Sequence, residues 1–351
     1  MTKGAVRGAA IRQAHRAVAR FFPTAVVLAY HRVALPALDP QLMCVSPERF
    51  ADHLHAMGQL GQCTALRDLV RWSAIGRVPR RAIVVTFDDG YADNLDVAEP
   101  LLRAAGVPAT VFVSSGDLEK GRRFWWDELE ALLLHTVHLP PMVALTLQGR
   151  RFEWPLEAAD IVSGSSVGTE AADWDVTCPE TPSPRHAAYR DIARLCRGLT
   201  PDERDMVLRS LVAQVGEPPA EGEHRRLSPA EVAELSASAV VEVGAHGVSH
   251  SRLSVLSPEQ RREELWLGKR QLEEITGRQV DLLSYPFGAP GDLTDDCARL
   301  AGECGYIAAC ANRAELVWHL SDPYRLPRFL VRDWKAEEFA SRLEAWFEGH
   351  V

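Results

Sequence analysis

The sequence predicts an α/β fold, either an α/β barrel or a doubly wound sheet, because short apolar runs alternate with helical patterns along most of the chain. Two further observations shape that expectation. The apolar runs lack the polar alternation of half-exposed strands, and one central stretch breaks the rhythm.

Seven runs read as strands: TAVVLAY (24–30), AIVVTF (82–87), ATVFV (109–113), AVVEVG (239–244), VDLLSY (280–285), YIAAC (306–310) and RLPRFLV (325–331). Continuously apolar strands suit a parallel sheet covered on both faces. Ser46-Pro47 and Ser257-Pro258 each place a capping hydroxyl before a proline at the first helical position. Gln260 follows Ser257, and Glu231 follows Ser228, at the spacing of a capping box. The helix after Ser257 is predicted to run through EELWLGKRQLEEIT and to stop at Gly277. From about 116 to 228 the strand–helix rhythm disappears, and this stretch reads as a mostly helical insertion between the third and fourth strands. It carries Trp125 and Trp126, which read equally as sugar-stacking residues and as core.

A chain of 351 residues suffices for one large domain with such an insertion. Its 46% hydrophobic and 25% charged residues are ordinary for a globular protein, and a net charge of -9 argues against a nucleic-acid polymer as partner. Seven cysteines, scattered and never spaced as C-x-x-C, argue against a disulfide framework or zinc knuckle and for a reducing, cytoplasmic setting. The first 23 residues are basic, with Lys3, Arg7, Arg12, Arg16 and Arg20 interrupting any signal-peptide core. They read as a solvated first helix, or as an amphipathic one resting on the inner face of a membrane. No stretch is apolar for long enough to span a bilayer.

The chemistry starts at FDDG. Asp88 and Asp89 fall where a parallel strand ends, the edge at which α/β folds place ligands. Side-by-side carboxylates repel, so one must be paired, neutralised or bound to a cation. Alone, DDG is a common turn. In HGVSH, however, His246 and His250 follow another apolar run, at a spacing that brings two imidazoles together in a helical turn. With one aspartate they make an Asp-His-His set that leaves coordination positions open. A cation lowers the pKa of water from 15.7 towards about 7, so the second aspartate can serve as its base.

In these contexts TFDDGYADN (86–94), HGVSH (246–250), YPFG (285–288) and the opening LAYHRV (28–33) resemble, in order, the motifs of the polysaccharide deacetylase superfamily, the carbohydrate esterase 4 group. The resemblance covers roughly 24–115 and 235–335. It implies a distorted, often incomplete, (β/α) barrel over 24–351, interrupted by the insertion, and metal-dependent hydrolysis of an N-acyl group on a sugar. It makes Asp88 the base and Asp89, His246 and His250 the ligands of one divalent ion. Zn2+ is the default by availability, with Co2+, Ni2+ or Fe2+ also suited. It also implies that Tyr285, Pro286, Phe287 and Gly288 line the substrate groove, with a backbone N–H on the oxyanion. The family's usual arginine before this motif is replaced by Ser284, so Arg328 becomes the candidate to orient the base. His319, in an apolar-x-His context, is the candidate acid for the leaving amine, with Trp318 beside the acyl methyl or a sugar face. His31 is expected near the site, supporting a ligand or touching substrate.

The expected function is removal of an acetyl or formyl group from an amino sugar. A nucleotide- or lipid-linked glycan intermediate fits a cytoplasmic enzyme, and the insertion would then act as a lid. The alternatives are a non-catalytic carbohydrate-binding protein on the same barrel and an amidohydrolase of a non-sugar amide.

Overall fold

The computed structural model describes residues 13, 15–156, 173–218 and 224–350. Most of the basic segment expected at 1–23 lies outside them, although residues 15–21 are helical. The described chain forms two compact units. The first comprises Met1–Leu35, Cys44–Glu119 and Leu227–Val351; the second comprises Pro36–Met43 and Lys120–Arg226.

All seven expected runs contain strands of the first unit, which begins with β1 (Ala25–Tyr30), three short strands outside those runs, β2 (Arg32–Val33), β3 (Cys44–Val45) and β4 (Gln62–Cys63), then β5 (Ala82–Phe87) and β6 (Ala109–Val113). After β7 (Met142–Leu147) and β8 (Arg150–Pro155) of the second unit come β9 (Val241–Ala245), β10 (Leu282–Ser284), β11 (Ala308–Ala311), β12 (Leu326–Pro327) and β13 (Phe329–Leu330). The sheet runs β12-β11-β10-β9-β6-β5-β1-β13, with β4 also on β5, and every pairing in it is parallel. Its two ends are consecutive in sequence. The segment 326–330 pairs through its first half with β11 (Cys310↔Leu326) and through its second with β1 (Leu28↔Phe329). The sheet therefore closes on itself, with Arg328 at the seam, as a distorted (β/α) barrel.

Both faces of these strands are buried, which is why their sequences do not alternate. Val26, Leu28, Tyr30, Ile83, Val85 and Phe87 face the helices. Ala25, Val27, Val84, Phe112, Leu282 and Cys310 fill the barrel interior. The helix Pro258–Thr276 starts on Ser257 with both halves of a capping box and ends at Gly277, whose φ is +64°. Ser228 and Glu231 cap the helix Pro229–Ser236 in the same way, and Ser46 accepts from the Arg49 N–H to start the helix Pro47–Leu60.

The second unit has its own core around Leu132, Leu133, Leu145, Tyr189, Ile192 and Leu211. Its helices include Trp125–Glu130, Pro184–Cys196 and Pro201–Val215, but it also contains the antiparallel hairpin β7–β8, absent from the sequence expectation. The turn Gln148-Gly149 has φ of +51° and +76°, the backbone of a type I′ hairpin. Gln in place of the usual Asn hid that signal.

The helix Pro258–Thr276 sits close to the loop that carries the histidines. A Cβ at Gly268 would lie 3.0 Å from the carbonyl carbon and oxygen of Gly247. Gly268→Ala sets a helix-propensity gain of about 1 kcal/mol against an overpacking cost of about 1–3 kcal/mol. We expect the cost to win, giving a net loss of about 1 kcal/mol in urea denaturation. A net gain would mean that the helix does not hold this loop by close backbone contact.

Candidate metal centre and active site

Register sets the positions of the two aspartates. Tyr30 pairs with Phe87 at the carboxyl ends of β1 and β5, and the Asp88 N–H still donates to the Tyr30 carbonyl at 3.0 Å. The chain then turns through φ of +77° at Asp89 and +86° at Gly90. A Cβ at Gly90 would come within 2.9 Å of Val113 Cγ1, so glycine is needed for space as well as conformation. The turn sends the two carboxylates in different directions, and both are 2% exposed.

Asp89 faces the histidines. Its Oδ1 lies 3.1 Å from His250 Nε2 and 3.5 Å from His246 Nε2. His246 stands at the end of β9, where its N–H donates to the Val113 carbonyl, and its Nδ1 lies 2.7 Å from the Ser284 carbonyl oxygen. A carbonyl can only accept, so Nδ1 carries a proton and Nε2 is the ring atom turned to Asp89. Asp89 Oδ1 is buried and makes no hydrogen bond of good geometry. An orphaned buried carboxylate oxygen facing two imidazole nitrogens is a donor set that fits a divalent cation. Burial pushes the Asp89 pKa up, but the two imidazoles outweigh it and hold it well below the usual range. For His246, burial lowers the pKa while Asp88 and then Asp89 raise it further, for a net rise.

Asp88 faces the barrel seam. Arg328 reaches it with both nitrogens, Nη1 to Oδ1 at 2.8 Å and Nη2 to Oδ2 at 2.6 Å. The same guanidinium donates to Ser284 Oγ and Asn312 Oδ1, each at 2.9 Å, and to Thr86 Oγ1 at 3.2 Å. Burial would raise the Asp88 pKa; Arg328, then His246, outweigh it and bring it down to about 2. Asp88 is therefore ionised at any ordinary pH. Ser284, the residue before the YPFG motif, is thus an acceptor for Arg328.

His31 follows β1 at the same end of the barrel, close enough for Asp89 and Asp88 to act on it. Burial has the larger effect, and its pKa is lowered. Its carbonyl accepts from Asn94 Nδ2 at 2.9 Å. The Phe287 ring meets His250 edge-on, with centroids 4.7 Å apart, and Phe287 has φ +60°. Pro286 lies against the histidine loop, 3.5 Å from where a Gly247 Cβ would stand.

Four expectations are corrected. Tyr285 does not line a groove: its side chain is fully buried, with the hydroxyl donating to the carbonyls of Cys297 and Tyr324. Nor do Tyr285 and Gly288 have backbone N–H groups to offer an oxyanion, because these donate to the carbonyls of Cys310 and Pro286. His319 and Trp318 stand at the wrong end of the barrel. Their neighbour Val317 bridges to Ala25, the first residue of β1, whereas Asp88 lies beyond its last. At about 3.3 Å per residue that is a separation of roughly 20 Å along the strand. There His319 and Trp318 pack on Phe22, with centroids 5.3 and 5.1 Å from its ring. For Trp126, which the sequence left open between sugar stacking and core, the core reading holds: it is buried against Phe124 in the second unit.

Two residues with no sequence signal complete the arrangement. Glu264 projects from the helix Pro258–Thr276 and accepts from the N–H groups of Val248 (2.8 Å) and Ser249 (3.0 Å) and from Ser249 Oγ (2.6 Å). It thereby holds the loop between the two histidines. Asn312 accepts from Arg328 through Oδ1 and donates through Nδ2 to the Phe287 carbonyl, linking the base to the YPFG loop.

The fold is a distorted (β/α) barrel whose mouth gathers an aspartate and two histidines that fit a divalent cation. Residues 75–153 and 211–309, just over half of the chain, match the model of the polysaccharide deacetylase family, and the chain belongs to that family. It is accordingly a hydrolase acting on amide bonds, a deacetylase of sugar-linked substrates. Three solved structures share the fold. The deacetylase PplD of Streptococcus pyogenes, in complex with acetate, is 14% identical, with 92% of this chain and 99% of that chain covered and a TM-score of 0.56. IcaB from Ammonifex degensii is 18% identical, with 93% and 97% covered and a TM-score of 0.52. BC0361, a polysaccharide deacetylase from Bacillus cereus, is 18% identical, with 92% and 70% covered and a TM-score of 0.51. No curated protein sequence matches.

Removing one member of a buried ion pair costs about 3–5 kcal/mol, because the other charge is left without compensation. Arg328→Met should destabilise the protein by that amount in denaturant titration, and Asp88→Asn/Arg328→Met should recover most of it. If the double variant is as unstable as the single one, the guanidinium's other contacts carry the stability. The sign of the pH dependence follows from the depressed Asp88 pKa. Its folded value of about 2 lies below the unfolded value of about 3.9, so its stabilisation is complete above that value and lost as pH falls through about 2. In metal-free protein, Asp88→Asn should remove that part of the acid sensitivity. Glu264→Ala should weaken metal binding about 10–100-fold, and Glu264→Gln by less, as measured by competition with a chelating dye. Unchanged affinity in both would show that the loop needs no such anchor.

Proposed function

We propose that this protein hydrolyses an N-acetyl or N-formyl group on an amino sugar, using a divalent cation held by Asp89, His246 and His250. The observation that carries this reading is the division of the aspartate doublet: Asp89 toward two imidazole nitrogens, Asp88 toward Arg328. A divalent cation in the first arrangement supplies Lewis acidity, polarising an acyl carbonyl and lowering the pKa of water towards about 7. Two nitrogens and a carboxylate suit zinc first, then cobalt, nickel or iron.

The chain's own groups do the rest. Asp88, kept ionised and oriented by both nitrogens of Arg328, takes the proton from the attacking water. His31 is the imidazole at this end of the barrel that is not directed at Asp89. With His319 remote, His31 is the imidazole we place beside the departing sugar amine, where burial lowers its pKa and it acts as a neutral hydrogen-bonding group. Phe287 and Pro286, beside His250 and the histidine loop, form an apolar wall suited to the acyl methyl.

We place the substrate among glycan intermediates carried on a nucleotide or a lipid, and the reaction in the cytoplasm or at the inner membrane face. The seven cysteines, all present as free thiols, support a reducing compartment. Among the described residues no helix is long and apolar enough to cross a membrane.

The test scores metal content and acid release together on N-acetyl and N-formyl amino sugars, free, nucleotide-linked and lipid-linked. Asp88→Asn should keep its metal and lose about 10²–10⁴-fold in kcat; His31→Gln should keep metal and lose about 10²-fold; His319→Ala should behave as wild type. Asp89→Asn should lose the metal. Bound metal with no amide cut in any substrate would overturn the sugar assignment, and an Asp88→Asn protein with full activity would overturn the assignment of the base.

A further inference from the structure

The amino end of the barrel, opposite the candidate metal centre, carries an apolar surface that the chemistry above does not use. The helix over 15–21 leads into Phe22 just before β1, and Phe22 packs on Trp318 and His319. Ser73 Oγ, near the end of the helix Leu66–Ala74, donates to the Trp318 carbonyl at 3.3 Å. Three segments are thereby drawn together: 15–22, 75–81 and 318–322. Each carries a large apolar side chain in the open, Phe21 and Leu320 at 68% exposure and Ile75 at 64%. Scattered single side chains of this kind need no explanation, but a contiguous group marks an interaction site.

The charge on the same segments is mostly positive. Arg16 and Arg20 on the first and Arg77, Arg80 and Arg81 on the second are all exposed. Asp322 is the one acid in the three segments, and its carboxylate accepts from the Tyr324 N–H. Glu315 flanks them, 3.9 Å from His15 and paired with Arg313. The sequence ahead of the helix adds Lys3, Arg7 and Arg12, and no acid precedes Asp39. In a chain of net charge -9, positive charge is thus gathered at one end.

We propose that the amino end of the barrel docks on an anionic lipid bilayer, with Phe21, Ile75 and Leu320 entering the headgroup region and the arginines meeting lipid phosphates. Apolar side chains set among arginines match the two layers of such an interface, hydrocarbon below and negative charge above. A second copy of the chain fits less well, because a two-fold contact would set these arginines against themselves. Asp88 lies beyond the far end of the strands, roughly 20 Å away, so the docked protein opens its mouth away from the bilayer. For the sugar amidase proposed above, this excludes an acyl group held at the headgroups; the docking itself does not depend on that function.

The full chain is sedimented with vesicles of equal parts phosphatidylglycerol and phosphatidylcholine, and with vesicles of phosphatidylcholine alone. The wild type should bind the anionic vesicles, lose most of that binding in high salt, and stay in the supernatant with phosphatidylcholine alone. Phe21→Ser/Leu320→Ser and Arg77→Ser/Arg80→Ser should each weaken binding by about tenfold, and Ile75→Ser by less. Trp266→Ser, which removes an exposed aromatic from the helix Pro258–Thr276, should bind as wild type. These side chains are exposed, so the variants should keep the wild-type Tm. No binding to anionic vesicles overturns the proposal, and so does equal binding to phosphatidylcholine. Binding that Ile75→Ser and Phe21→Ser/Leu320→Ser leave unchanged overturns it as well, and assigns the contact to the basic segment ahead of the helix. A dimer that Phe21→Ser/Leu320→Ser dissolves, with no vesicle binding, gives the surface to a second copy instead.

Discussion

The contact between Arg328 and Asp88 is the one on which both the barrel and its chemistry depend. Arg328 stands between β12 and β13, where the sheet joins its two ends, and its guanidinium is completely enclosed. A buried guanidinium is costly unless it is paired and its donors are used. Here Asp88 takes two of its N–H groups, and Ser284, Asn312 and Thr86 share the other two Nη hydrogens, leaving only Nε without a hydrogen bond. These partners come from β5 and its end, β10 and the end of β11. The charge that orients the base is thus also the polar plug at the top of the barrel. Below it the interior is apolar, from Ala25 and Val27 to Leu282 and Cys310.

The second constraint is backbone conformation. Asp89, His250 and Phe287 all have positive φ, a conformation that costs a non-glycine residue about 1–3 kcal/mol. These three converge around the candidate metal centre. Without the turn at Asp89, strand geometry would send successive side chains to opposite faces, and only one carboxylate could enter the barrel mouth. With it, one looks to the seam and the other to the histidines. The close approach of Gly268 to Gly247 and the acceptor oxygens of Glu264 then hold the histidine loop against its own preferences.

How much of this was legible in the sequence depended on distance along the chain. Strands buried on both faces are uniformly apolar, so β1, β5, β6 and β9 to β13 could be read from short windows, and capping boxes at Ser228 and Ser257 are local chemistry. The doublet and the paired histidines were legible for the same reason. Glu264 and Asn312 were not: each acts across a gap that only the folded barrel closes, and neither residue type is unusual where it occurs. His319 shows the opposite failure. Its local context suggested an acid, but the bridge from Val317 to Ala25 assigns that loop to the amino end of β1, and no short window reveals which end of a barrel a loop occupies. The hairpin β7–β8 was hidden by Gln148 where asparagine would have marked the turn.

Arg328 gives Asp88 a fixed positive charge on the side away from the histidines, and two N–H groups that orient both of its oxygens. A guanidinium could reach the same carboxylate from the end of β10, because β10 and β12 are separated only by β11. A serine at 284 gives up the bulk and the charge, and its hydroxyl then accepts from the arginine that arrives from the other strand. Such an exchange leaves the field at Asp88 intact while erasing the motif that would be sought in the sequence. A site of this kind is better recognised by which charge faces which carboxylate than by the position of any one residue in the chain.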